Sequence, residues 1–128
     1  MYQSLDLFQT ANAMARHAGA RQAVVARNIA NADTPGYQAQ QISAFQDVYS
    51  EAGTGALRAS RPGHIANLAG GAVAARTTAA AAEPSPNGNS VSIEDQMLSS
   101  VSITREHNRA LAIYRHTMTV LRTSLGSS

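Results

Sequence analysis

The stretch NIANADTPGYQAQ, Asn28 to Gln40, joins the end of a helix-forming run to a turn of fixed chemistry. Pro35 disfavours the α region for Thr34, so a helix arriving from the N-terminal side must be over by that residue. Pro35 and Gly36 then occupy the central positions of a turn from Thr34 to Tyr37. They suit type II geometry, whose second central residue needs a positive φ. Tyr37 follows as an anchor with an apolar ring and a polar tip. Asn28 and Asn31 are three apart, so on a helix they share one face where the last carbonyls lack partners. Their amides can satisfy those carbonyls or reach across to another chain.

Upstream, Phe8, Ala11, Ala15, Ala18, Val25, Ile29 and Ala32 fall at helical steps of three and four, broken only at Gln22. From Tyr2 to Asn31 there is no proline, and Gly19 is the only glycine; it costs about 1 kcal/mol relative to alanine in a helix interior. This predicts an N-terminal helix over 2–31 whose stripe of small residues lets another helix approach closely.

The TPGY turn and the extended segment after it span 32–50 and include QAQQISAFQDVY, Gln38 to Tyr49, which suits either a strand or a short helix. The span 51–90 holds most of the glycine, three of the four prolines and the run TTAAAAAEPSPNGNS beginning at Thr77. It has no sustained period and reads as a flexible linker region. In the last third, Met97, Val101, Leu111, Met118, Leu121 and Leu125 recur at helical spacing, widened by Leu98 and Ile113. Ser92-Ile93-Glu94-Asp95 is a capping-box pattern, Arg109, Arg115 and Arg122 lie toward the negative end of the helix, and Gly126 supplies a stop. A C-terminal helix over 92–125 follows. The predicted fold class is mainly α, a single domain over 1–128. Two long terminal helices pair as a coiled-coil-like unit through Phe8, Val25, Ile29, Val101, Leu111, Met118 and Leu121, joined by a Gly/Ala/Pro-rich irregular middle with room for short β segments.

Composition bounds what this fold can do. The chain has six aromatics and no tryptophan, and its apolar content leans on alanine. At roughly 25 cal/mol per Å² of buried apolar surface, such a core struggles against about 1 to 2 kcal/mol of backbone entropy per ordered residue. A marginal monomer completed by partners is the expectation. Ten arginines oppose eight acids for a net charge of +2, with no lysine. A nucleic-acid reading would rest on Arg105, Arg109, Arg115 and Arg122, yet Glu94, Asp95 and Glu106 share their helix and no basic run is present.

Cysteine is absent, so there is no disulfide framework and no thiolate zinc site. The N-terminal run lacks the basic start and apolar core of a secretory signal. No stretch approaches the roughly 20 apolar residues of a membrane span, and the helix faces lack the bulky residues of interfacial helices. His17, His64, His107 and His116 read as surface histidines. His107 and His116 are nine apart, on faces roughly 180° from each other, and no metalloprotease, phosphate-loop or nucleophile-elbow motif is present. Neither catalysis, nor a metal, nor a cofactor is expected.

The run ARNIANADTPGYQAQ, Ala26 to Gln40, resembles the N-terminal signature of the rod and hook axial proteins of the bacterial flagellum, Asn-x-x-Asn-x-x-Thr-Pro-Gly-Tyr. Asn28, Asn31, Thr34, Pro35, Gly36 and Tyr37 match it position by position. Pro62-Gly63-His64-Ile65 and Gly88-Asn89-Ser90-Val91 extend the resemblance toward the proximal-rod members. Thr104, Arg105 and His107 depart from it, since many relatives carry acidic and aromatic residues there.

The resemblance implies a non-catalytic structural subunit of the basal-body rod. Its terminal helices would line a tube around an export channel and complete their folding on assembly. Contacts that repeat without closing generate such tubes. It implies export by the flagellar type III apparatus without a cleaved signal peptide, into a rod crossing the periplasm. Its partners would be other copies of the chain, FliE and export-gate proteins, FlgC and other rod proteins, with no nucleic acid and no direct membrane span. The asparagines and the TPGY turn would cap the inner helix and direct the next segment onto a neighbouring subunit. Two alternatives remain at this level: another rod subunit such as FlgC, or a small helical nucleic-acid-binding protein.

Overall fold

The computed structural model describes residues 2–49 and 77–126. Pro62-Gly63-His64-Ile65 and most of the expected linker region lie outside the described residues. The element order is a long N-terminal helix (Tyr2–Ala30), strand β1 (Gln40–Ile42), strand β2 (Thr77–Ala79) and a long C-terminal helix (Ile93–Gly126). The fold is mainly helical, its two terminal helices packed against each other along their length. They run antiparallel: Asn28 near the end of one meets Gln96 near the start of the other, and Phe8 meets Tyr114.

The seam between them repeats every seven residues. On the N-terminal helix Ala11, Ala18 and Val25 are buried; on the C-terminal helix Gln96, Ile103, Ala110 and Thr117 are. A seven-residue step returns a helical side chain to nearly the same face after two turns, which is the coiled-coil period. Ala18, Val25 and Ile103 form the apolar cluster at its centre. The alanines keep the helices close, and Thr117 enters the seam without an unmet hydroxyl because its Oγ1 donates to Ile113 O at 2.8 Å.

This seam corrects the expected pairing stripe. Phe8, Leu111, Met118 and Leu121 are half-buried and Val25 is buried, but Ile29 is 43% exposed and Val101 53% exposed. Met97, Leu98 and Leu125 also face out. The reason is rotational. The hydrogen bond between Gln96 and Asn28 turns Gln96 inward, and at roughly 100° per residue this carries Met97 and Val101 to the outside.

In the middle, β1 pairs antiparallel with β2 in the register Gln40 to Ala79, Gln41 to Thr78 and Ile42 to Thr77. The Gln38 to Tyr49 segment takes both of the conformations its sequence allows, strand at Gln40–Ile42 and helix at 45–49. Ala39, Ile42 and Phe45 are buried, so this segment lies down on the N-terminal helix rather than standing free. The described end of the expected linker is likewise held, through β2 and through buried Asn89 and Ser90. Ser92 caps the last helix: its Oγ accepts from Asp95 N at 3.4 Å and its carbonyl from Gln96 N at 3.0 Å. Among the described residues, no helix is long and apolar enough to cross a membrane.

Candidate functional site

The residues singled out in the sequence converge at the end of the helix pair where the first helix stops. Asn28 is fully buried, the largest side chain so enclosed among the described residues. Its Nδ2 donates to Gln40 O at 2.7 Å and to Gln96 Oε1 at 2.9 Å. Its Oδ1 accepts from Gln40 N at 3.0 Å and from Tyr37 Oη at 3.1 Å. All its hydrogen-bonding sites are thereby used. Toward Gln40 the side-chain amide both donates and accepts, which is what a neighbouring strand residue would do. One asparagine thus ties together the first helix, the turn, the start of β1 and the last helix. An asparagine buried this way is tolerated because no polar group is left unmet.

Asn31 has a different and more local task. Its Nδ2 donates to Arg27 O at 2.8 Å, satisfying one of the carbonyls orphaned at the helix end, while its Oδ1 accepts from Thr34 Oγ1 at 3.2 Å. The turn itself is type II: Tyr37 N donates to Thr34 O at 3.3 Å and Gly36 has φ 74°. Pro35 and Gly36 are exposed, and Tyr37 is half-buried with its hydroxyl on Asn28.

A second turn faces the first. Gly88 N donates to Ser85 O at 2.8 Å, Ser85 N to Asn89 O at 2.7 Å, and Gly88 has φ 83°. Pro86 sits at the first central position of this turn, where its fixed φ fits. The two turns meet at their glycines. Gly36 N donates to Asn87 O at 3.0 Å, and a Cβ on Gly88 would stand 3.2 Å from Gly36 Cα. Asn89, 3% exposed, clamps the junction. Its Nδ2 donates to Asn31 O at 2.9 Å and Thr34 O at 2.7 Å, and its Oδ1 accepts from Val91 N at 2.8 Å. Ser90 completes it, donating its N–H to Tyr37 O at 3.0 Å and accepting from Ala39 N on Oγ at 2.8 Å.

Gln40, Gly88, Asn89, Ser90 and Gln96 are therefore as much part of the site as the six motif residues. Gly88, Asn89 and Ser90 were visible in the sequence only as a run leading into the last helix. Gln96 carried one usable signal, a polar residue seven before Ile103 at a seam position.

Further contacts hold the first helix against the last helix and against the middle segment. Arg21 Nη1 donates to Glu106 Oε2 at 2.7 Å, with both side chains largely covered. His17, expected at the surface, is buried: its Nε2–H donates to Ser43 O at 2.7 Å and its ring meets Phe45 edge-on at 5.7 Å. His116 is exposed, His107 half-buried, and His64 outside the described residues. Among the described residues, no group of three or more His, Cys, Asp or Glu side chains could hold a metal ion.

The described residues thus form a long antiparallel helix pair with a polar clamp on the turn after the first helix. The family described as "Flagella basal body rod protein" matches residues 10–38, which end just past the clamped turn. A curated relative, the flagellar basal body rod protein FlgB of Agrobacterium fabrum, is 31% identical over 115 residues, covering 83% of this chain and 82% of the relative. The chain belongs to the flagellar basal body rod protein family.

Proposed function

We propose that this member of the flagellar basal body rod protein family is a structural rod subunit that assembles with other rod proteins, and that it builds the proximal part of the rod by presenting the outer faces of its helices to neighbouring subunits. The observation that carries this reading is an inversion of the usual order. Alanine, glutamine and threonine take most of the buried seam positions, with Val25 and Ile103 the larger apolar residues among them, while Ile29, Met97, Leu98 and Val101 are exposed. Apolar area left outside a thin core is gained back only when something covers it. A tube of copies around a channel covers it on every subunit.

In this reading the clamp is the device that sets the angle of the segment leaving the first helix, so that 40–49 lies on that helix in a fixed direction and turns its exposed side, with Gln41 and Tyr49, to a neighbour. The neighbours are other copies of the chain and FlgC, with FliE and the export gate at the base. The subunit travels through the flagellar type III apparatus and acts without catalysis or cofactor.

Replacing Met97 and Val101 together by serine tests the assembly role. The isolated chain keeps its helicity, because both residues are already exposed, and rods fail to form in cells carrying the variant. Normal basal bodies purified from such cells, with the variant present in them, would overturn the role given to this face. Pro35→Ala and Gly36→Val test the angle: they leave the helices intact and impair the rod.

A further inference from the structure

Asn87 is the only asparagine in the chain followed by glycine. It is exposed, at the tip of the turn that grips the TPGY turn. We propose that Asn87-Gly88 is a site of spontaneous covalent modification, deamidation with rearrangement to isoaspartate, and that this change releases the clamp.

The chemistry needs only water. The Gly88 backbone nitrogen gives up its proton to solvent base and attacks Asn87 Cγ. A nitrogen–carbon bond forms, and Nδ2 leaves as ammonia, generating a five-membered succinimide. Water then opens the ring at Cγ to give aspartate, or at the backbone carbonyl to give isoaspartate, in which the chain runs through Cβ. No electrons are transferred. Glycine favours the first step because no side chain shields its nitrogen.

The folded turn restrains both reactants. Gly88 N–H is held by Ser85 O at 2.8 Å, and Asn87 Oδ1 accepts from Asn89 N at 3.0 Å. Reaction therefore runs through local opening of the turn. Its product cannot return to the same fit. Isoaspartate adds a backbone atom between residues 87 and 88, where Gly36 N meets Asn87 O at 3.0 Å and even a Cβ on Gly88 would lie 3.2 Å from Gly36 Cα. The hold of Asn89 and Ser90 on the first turn loses its register with it.

Incubating the purified full chain in mildly alkaline buffer, with peptide mapping over time, tests this. The peptide from Thr77 to Arg105 acquires isoaspartate at Asn87 well before exposed Asn12 or Asn108 is altered, and urea speeds the change about tenfold or more by removing the turn. Separated isoaspartate-bearing chains exchange the Gly36, Ala39 and Ser90 amides faster, while Asn87→Gln, which cyclises far more slowly, stays unmodified and keeps its protection. Modification of Asn87 no faster than of Asn12 and Asn108 overturns the site. Isoaspartate chains with unchanged protection at those three amides overturn the release.

Discussion

Around Asn28, every polar atom of the central side chain has a partner and four segments of chain are tied at one point. At the other end of the same helix pair, Phe8 touches Tyr114 edge-on at 5.1 Å, and an open apolar groove lined by Leu5, Ala11, Leu111 and Met118 surrounds them. The first end is closed and directional, since hydrogen bonds demand particular atoms at particular places. The second is open and permissive, since apolar contact asks only for proximity. Under the proposed role, a subunit that holds one fixed angle and also accepts neighbours uses both kinds of end, and the molecule keeps them apart.

The contrast can be broken most forcefully at Asn28. Asn28→Ala strands Gln40 N and O and the Gln96 amide in a buried site, at about 3 kcal/mol or more; urea unfolding of the full chain should show the loss, with amide exchange at Gln40 greatly accelerated. A cost below that of a single ordinary hydrogen bond would mean the closed end is not what it looks like. Gly88→Ala comes next, at about 2 kcal/mol, because it combines a positive φ with a close approach to Gly36. Gly36→Ala meets open space and should cost only the φ strain, about 1 kcal/mol. Thermal unfolding of the pair measures whether steric contact between the turns adds to backbone strain.

Phe8→Ala, at the open end, should cost about 1 to 2 kcal/mol, well short of the value for a fully enclosed ring, because Phe8 is half-buried. A larger loss would show that end to be a true core. The smallest effect belongs to the ion pair of Arg21 and Glu106. Glu106→Gln should cost about 1 kcal/mol or less, shrinking further as salt is raised.

The TPGY turn was legible from its own residues, since Pro35 and Gly36 leave few backbone choices. The two long helices were legible from periodicity, and Ser92 as a cap from its chemistry. The pairing face was only partly so. Large apolar residues such as Val101 and Ile29 look like seam candidates on hydrophobicity alone, but which face turns inward depends on Asn28 meeting Gln96, a contact across 68 positions. His17 reads as a surface residue until Ser43 and Phe45 fold over it.

What the sequence determined by itself is therefore local: helix extent, the type II turn, and a signature specific enough to point to the rod family. These depend on backbone preferences that a few adjacent residues set. The tertiary structure alone decided that Asn28 is a buried hub and not a helix cap, that Asn89 grips the turn from the far side of the chain, and that bulky side chains face outward. Each of those is a choice among partners distant in sequence, and hydrogen-bond geometry makes it only once the helices are side by side.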